Sequence, residues 1–453
     1  MIKIMNLRGV ITISAIYLIS VTWIWHYVMP LLAPELFDDV VNFFRYSDTL
    51  TYHRQAAELK YNLEKNGLSE WGFSYKGNAP SSILALIYFV TKSSNPLLYI
   101  PLSILLYLSS VILVYAILEK ITDEFLAASG SILFAASPVA TIVYAEVGKD
   151  VWTIFAFLLL LYCVVSRRKI YALIFLTGVS CLILLWMRPY LLYVANAAFF
   201  FALLWLLLQA ILSHRKIGVD VVLRSAIRLG ALWGVVFGVT VANLFASVSS
   251  ENADANSAIL IDSVNAHLIT SAGSKNVDAN SAILIDSVNA HPITSAGSNF
   301  GMDFIASIID GARSRLNTFD GSTKVDSDVK FINILDVLIY APKAVGIGLA
   351  APFFIDYEAL SGRAEISMHF VWLFYNAVGL LLLFGIIFLI KEPNVLVIFL
   401  LSFVFIVSLA FVCSNLGTFL RMRIGYLEFC MCLGLSGWMK YFFRHNRPHV
   451  NYS

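Results

Sequence analysis

Residues 9–31 read G-V-I-T-I-S-A-I-Y-L-I-S-V-T-W-I-W-H-Y-V-M-P-L, an apolar run long enough to cross a bilayer as a helix. Shortly after it, residues 45–57 read R-Y-S-D-T-L-T-Y-H-R-Q-A-A, which is polar almost throughout. Long apolar runs separated by short polar stretches recur along the chain, and this pattern decides the fold class. Of the 453 residues, 59% are hydrophobic and 13% charged, and the mean hydropathy is +0.79. Soluble globular domains carry about 25% charged residues. Inside lipid every backbone polar group needs an internal partner, which leaves helices or a closed barrel, and the alternating pattern of a barrel is absent. The sequence therefore predicts an all-α polytopic membrane protein.

Candidate spans cover 9–31, 97–118, 124–145, 151–166, 170–187, 190–213, 226–247, 368–390, 393–414 and 423–441. The clusters Lys3/Arg8, Arg167-Arg168-Lys169, Arg215-Lys216 with Arg224, Lys391, and Lys440 with Arg444 and Arg447 belong on the cytoplasmic side. This gives about 10 transmembrane helices with both termini cytoplasmic. No small-residue cleavage site follows the first run, so it is expected to be a retained span. Two further apolar stretches do not fit as spans. Residues 79–91 are too short, and a crossing at 333–355 (which contains Pro342 and Pro352) would put the basic tail on the wrong side. Both are expected to be juxtamembrane helices on the outer face. The chain divides into an N-terminal transmembrane module at 1–247 with its first outer loop at 34–78, a periplasmic region at 248–366, and a C-terminal transmembrane module at 367–453.

The basic residues sit at the ends of apolar runs, so the net charge of +2 gives no argument for nucleic acid. Cys163, Cys181, Cys413, Cys430 and Cys432 lie in or at the ends of apolar runs without metal-ligand spacing to a histidine. They read as packing residues, and no metal site is predicted. No motif specifies a cofactor; a divalent metal is compatible with the pattern but not predicted by it. Residues 252–274 recur at 276–298 with changes only at Ala253/Val277 and Leu268/Pro292. Solenoids need three or more units, so two copies read as a duplication in a surface loop. His267 and His291, equivalent in the copies, read as loop histidines before metal ligands.

Four polar regions, at 34–78, 146–150, 248–332 and 415–422, converge on the outer face, and function is expected there. Asp48 precedes a good helix start. Its commoner reading is an N-cap; the functional one is a general base. Asp38 and Asp39 are rivals for that role. Tyr52 reads as an interfacial anchor or a substrate contact, and the neighbouring His53 as a solvated side chain. Glu146, Lys149 and Asp150 share a tight outer turn broken by Gly148. They are either ordinary solvated groups or a second acid with a phosphate-contacting cation facing Asp48. Arg188, before Pro189, is either a snorkelling side chain or a functional one. Arg421 and Arg423 in S-N-L-G-T-F-L-R-M-R enter the last span from outside, against the positive-inside bias, and suit a lipid phosphate through bidentate pairing. Arg313, Arg315, Asp320 and Lys324 precede the 333–355 helix and would either contact a lipid carrier or shape the membrane contact.

These segments, taken in order with Y-A-E-V-G-K-D at 144–150 and L-I-Y-A-P-K-A-V-G-I-G-L-A-A-P-F-F at 338–354, resemble the GT-C superfamily of integral-membrane glycosyltransferases, in particular bacterial members of surface-polysaccharide pathways. The resemblance is one of order and topology over roughly residues 1–430. It implies an inverting transfer of sugar from a polyprenyl-phosphate donor to a glycan or lipid acceptor at the periplasmic face of a bacterial inner membrane. By position, Asp48 would be the base, and Asp150, or less directly Glu146, would position the acceptor. Lys149, Arg188, Arg421 and Arg423 would hold the donor phosphate, with Tyr52 also at the substrate. The adjacent Asp-Glu pair that some members carry after the first span is replaced here by Asp38-Asp39. Two other readings stand beside this one: an O-antigen-type polysaccharide polymerase, and a non-enzymatic transporter or flippase of lipid-linked glycans. The flippase is disfavoured because the middles of the spans are nearly free of charge.

Overall fold

Helices are the regular elements of the computed structural model, which describes residues 6–38, 43, 45, 48–73, 78–137, 143–212, 224–243, 306–307, 309–311, 313–314, 326, 328–351, 376–389, 393–413 and 416–445. The duplicated loop, Asp39, Arg315, Asp320 and Lys324 lie outside the described residues, as does most of the 248–366 region. Helix α1 (Leu7–Leu32) starts where the Asn6 side chain accepts from the Gly9 amide at 3.1 Å. Its apolar residues Ile13, Ile16, Ile19 and Trp23 are exposed, as suits a lipid-facing stripe. A π turn at Ile24–Val28 then shifts the register and buries His26.

Helices α2 (Thr49–Asn66) and α3 (Ala79–Thr91) form a pair at one end of the bundle. On α2 the residues Thr49, Tyr52, Ala56, Leu59 and Leu63 are buried at helical spacing, and the helix stops at Gly67, whose φ of +85° suits a glycine. Their partners are Leu84, Ala85 and Tyr88 of α3 together with Phe43, Tyr99 and Val147. Burying a leucine away from water contributes about 1.5–3 kcal/mol. Packing of this pair therefore fixes α2 against α3 at that end of the bundle.

The bundle itself comprises α4 (Ile100–Glu119), α5 (Glu124–Ala135), α6 (Asp150–Val165), α7 (Ile170–Met187), α8 (Tyr190–Leu212), α9 (Arg224–Asn243), α11 (Asn376–Leu389), α12 (Pro393–Val412) and α13 (Leu416–His445), with α10 (Ile334–Ala350) packed on α12. Six described helices are long and apolar enough to cross a bilayer: α1, α4 extended from Pro96, α7, α8, α9 and α12. This is a multi-pass helical membrane architecture. Helices α3, α5, α6 and α11 are apolar but shorter. The expected span 124–145 is not one continuous helix, since α5 ends at Ala135, just before Ser137-Pro138. Proline lacks the amide needed to continue the ladder and restricts the residue before it.

The expected helix at 79–91 forms as α3. That at 333–355 forms as α10, opened by a reciprocal capping box between Asn333 and Asp336. Leu335, Leu338 and Ile339 make an exposed apolar face on α10.

Candidate functional site

The turn at 145–149 joins three segments through buried polar groups. Trp25 Nε1 donates to Glu146 Oε1 at 2.9 Å, and Thr49 Oγ1 donates to Glu146 Oε2 at 2.8 Å. Thr49 Oγ1 also accepts from the Val147 amide at 3.0 Å, and His26 Nε2 lies 2.7 Å from the Ala145 carbonyl oxygen. The π turn of α1 is what brings Trp25 and His26 to this point, and such turns recur at functional sites. Glu146 is 4% exposed and both its oxygens accept from protein donors. The structure thus makes it a tie that fixes Thr49, and with it Asp48.

Asp48 occupies the N-cap position of α2 at φ −70°, ψ −7°, yet its side chain makes no capping hydrogen bond. Instead its Oδ2 accepts from Arg421 Nη2 at 3.0 Å, with the aspartate side chain 53% exposed and the arginine 27%. The acid thus faces α13 and solvent, away from the amides of its own helix. Asp150, the first residue of α6, forms an ion pair with Arg188 in which both side chains are 11% exposed. Arg188 sits at the break between α7 and α8, where φ −152° and ψ 80° end the helix before Pro189. Its Nη1 also donates to Tyr190 Oη at 3.1 Å, and the tyrosine hydroxyl reaches Met422 Sδ at 3.2 Å.

Tyr52 and Lys149 belong to the same electrostatic neighbourhood. Burial pushes the Tyr52 hydroxyl up, Asp48 and Asp150 add to this, and Arg188 and Arg421 oppose it. Burial pulls the Lys149 ammonium down, helped by Arg188 and opposed by Asp48 and Asp150. Asp48, Tyr52, Lys149, Asp150, Arg188 and Arg421 are therefore brought together at one end of the bundle. Two carboxylates meet three cationic side chains there, one positive charge in excess.

Arg423 is not part of this group, which corrects its expected place beside Arg421. Residues two apart on a helix point about 200° from each other, so the two arginines face opposite sides of α13. Arg423 is buried, donating to Gly348 O at 2.9 Å, Asn376 Oδ1 at 2.7 Å and the Ala351 carbonyl. Its guanidinium also lies 5.1 Å from the Phe419 ring centroid. It closes the C-terminal end of α10. Arg313 is likewise an internal anchor: it donates to Phe411 O at 2.8 Å and to the Asp326 carbonyl, beside the Phe331 and Tyr340 rings. Asp38 lies in the preceding turn, its amide donating to Phe43 O at 2.8 Å.

The sequence reading missed Trp25, His26, Thr49 and Tyr190. A histidine beside a tryptophan inside an otherwise apolar run was a signal for the first two. Nothing local marks Thr49, whose role depends on a contact 97 residues along the chain. Tyr190 was marked only by its place just after Arg188-Pro189. Among the described residues no group of three or more His, Cys, Asp or Glu side chains is arranged to hold a metal ion. What the cluster offers is a half-exposed carboxylate beside cations suited to an anionic oxygen.

No protein-family model and no curated protein matches the sequence. Among solved structures, the fold is similar to the archaeal oligosaccharyltransferase AglB from Archaeoglobus fulgidus, solved in complex with an inhibitory peptide and a dolichol-phosphate. The TM-score is 0.49 and the identity 11%, over 98% of this chain and 52% of that one, so the chain spans about half the length of AglB. Similarity at that level carries no chemistry across.

Proposed function

We propose that this chain is a GT-C-like inverting glycosyltransferase of a bacterial inner membrane. It moves a sugar from a polyprenyl-phosphate donor to a glycan or lipid acceptor in cell-surface polysaccharide assembly. The observation that carries the reading is the Asp48–Arg421 ion pair, which sets a solvent-reachable carboxylate against a cation of the last helix. In the proposed reaction Asp48 takes the proton of an acceptor hydroxyl, whose oxygen attacks the anomeric carbon. The bond from that carbon to the phosphate oxygen breaks, and its electron pair leaves with the polyprenyl phosphate. Negative charge grows on the phosphate as this happens, so cations placed there act mainly on the transition state. Arg421 and Lys149 fill that role. Arg188, already paired with Asp150, holds the acid that orients the acceptor. Donor phosphate competes with Asp48 for Arg421, so donor binding frees the base.

The test uses membranes carrying the full chain and a panel of radiolabelled polyprenyl-phosphate monosaccharides. Wild-type membranes should consume one donor and release polyprenyl phosphate. Asp48→Asn, at equal protein level, should lower that rate by about 10²–10⁴-fold, the usual contribution of a general base. Transfer retained in the variant moves the base to Asp150 or Asp38, and no consumption of any donor by the wild type removes the reading.

A further inference from the structure

A second cationic feature lies at the other end of the bundle. Helix α6 leads from Asp150 to Val165, a rise of about 24 Å at 1.5 Å per residue, before the turn into α7. Between that turn and the start of α9 is an open cavity of about 330 Å³, lined by Arg168, Ile170, Arg224, Ile227, Arg228 and Ala231. Among the described residues the lining holds three guanidiniums and no carboxylate. Arg224 and Arg228 stand one helical turn apart on α9, so their side chains share a face. Arg228 Nη2 donates to the Cys163 carbonyl at 3.1 Å, while its Nε is buried without a hydrogen-bond partner. Arg168 projects from the turn beside the Tyr162 ring, 6.0 Å from its centroid. Ile170 and Ile227 are 44% and 64% exposed.

Like charges around one cavity repel, and a buried donor without an acceptor is destabilising. An anion with several oxygens relieves both, and guanidinium forks match phosphate oxygens in pairs. Free phosphate would fit the arginines but leave the isoleucines in water. A phospholipid fits both, because Ile170 and Ile227 begin membrane-crossing helices, at the depth where acyl chains meet headgroups.

We propose that this cavity binds the phosphate of an anionic phospholipid, with the acyl chains along Ile170 and Ile227, clamping the α6–α7 turn to α9. The site is distant from Asp48, and the proposal stands apart from the glycosyltransferase reading.

Thermal unfolding of the purified full chain tests it, in micelles doped with phosphatidylglycerol, with phosphatidylcholine, or with inorganic phosphate alone. Phosphatidylglycerol should raise Tm in a saturable way, and phosphatidylcholine should not. The double variant Arg168→Gln/Arg224→Gln alters exposed side chains, so the chain still folds, and should weaken apparent lipid affinity by about tenfold or more, the value of 1.4 kcal/mol. Arg168→Lys/Arg224→Lys should retain part of it. Equal stabilisation by both lipids, or an unchanged phosphatidylglycerol response in the glutamine variant, overturns the site. A shift reproduced in full by inorganic phosphate overturns the lipid as its source.

Discussion

Arg421 and Arg423 show what a single turn of helix decides. The sequence marks both as outer-face cations, and the pattern R-M-R gives no reason to separate them. Only the packing of α13 does so, turning Arg421 to Asp48 and Arg423 to the end of α10. Their substitutions should therefore fail differently. Arg421→Ala should raise the donor KM and lower kcat while leaving Tm within about 1 kcal/mol equivalent, the usual worth of an exposed ion pair. Arg423→Met should lower stability by about 1–3 kcal/mol or more, because the Asn376 amide oxygen and the α10 carbonyls are left buried without their donor. Steady-state kinetics alongside thermal unfolding separates the two, and equal Tm losses would contradict the different roles. Asp48 was legible as a candidate from its place before a helix. Its departure from the capping role was not, because the competing partner lies 373 residues away in sequence.

At the scale of elements, the short length of 79–91 and the charge topology around 333–355 set both apart from the spans, and helices form at both as α3 and α10. Asp48 likewise marked the start of α2, whose buried residues recur at helical spacing. The α5 region was read less well: a hydropathy window runs straight through Ser137-Pro138, where the backbone cannot continue as helix. Glycines are a further case that hydropathy passes over. A Cβ on Gly434 would stand 1.9 Å from Leu382 O, and one on Gly385 2.0 Å from Gly434 O, so α11 and α13 touch backbone to backbone. In lipid such close approach is a main source of helix association. Gly434→Leu should therefore cost about 3 kcal/mol or more by overpacking, seen as a lower Tm in detergent, whereas Gly178→Leu, where nothing stands within 4 Å of the added carbon, should be tolerated.

The α2–α3 pair gives a pH prediction. His53 Nδ1 lies 2.8 Å from Tyr88 Oη, and burial holds its pKa below the usual 6.5, with Asp38 raising it and Arg54 lowering it. The unfolded chain thus binds this proton first, so stability present above pH 6.5 is lost as pH falls below it. Unfolding measured at pH 7 and pH 5 should show a smaller acid loss for His53→Gln than for the wild type, and an equal loss would assign the effect to other groups.

For the whole molecule, the structure puts the Asp48 cluster at one end and both described chain ends at the other. From Trp25, which donates to Glu146, α1 runs back to Leu7 over about 27 Å, and α13 runs from Arg421 to His445 over about 36 Å. Helix α4 likewise starts beside the site, where Tyr99 Oη accepts from Trp152 Nε1 at 2.7 Å, and ends near Lys120. That opposition agrees with the charge clusters at Arg8, Arg167-Arg168-Lys169 and Lys440, which the positive-inside rule assigns to the cytoplasm. The side of the membrane then follows from a labelling experiment that the chain makes simple. All five native cysteines are free and buried, so a membrane-impermeant maleimide has little to react with in the wild type. Ser69→Cys, in the exposed turn after α2, should label in intact cells. Lys120→Cys, at the exposed far end of α4, should label only after the membrane is opened. The reverse pattern would put the Asp48 cluster in the cytoplasm, where an outer-face polyprenyl-phosphate donor does not reach it, and the proposed reaction would fall with it.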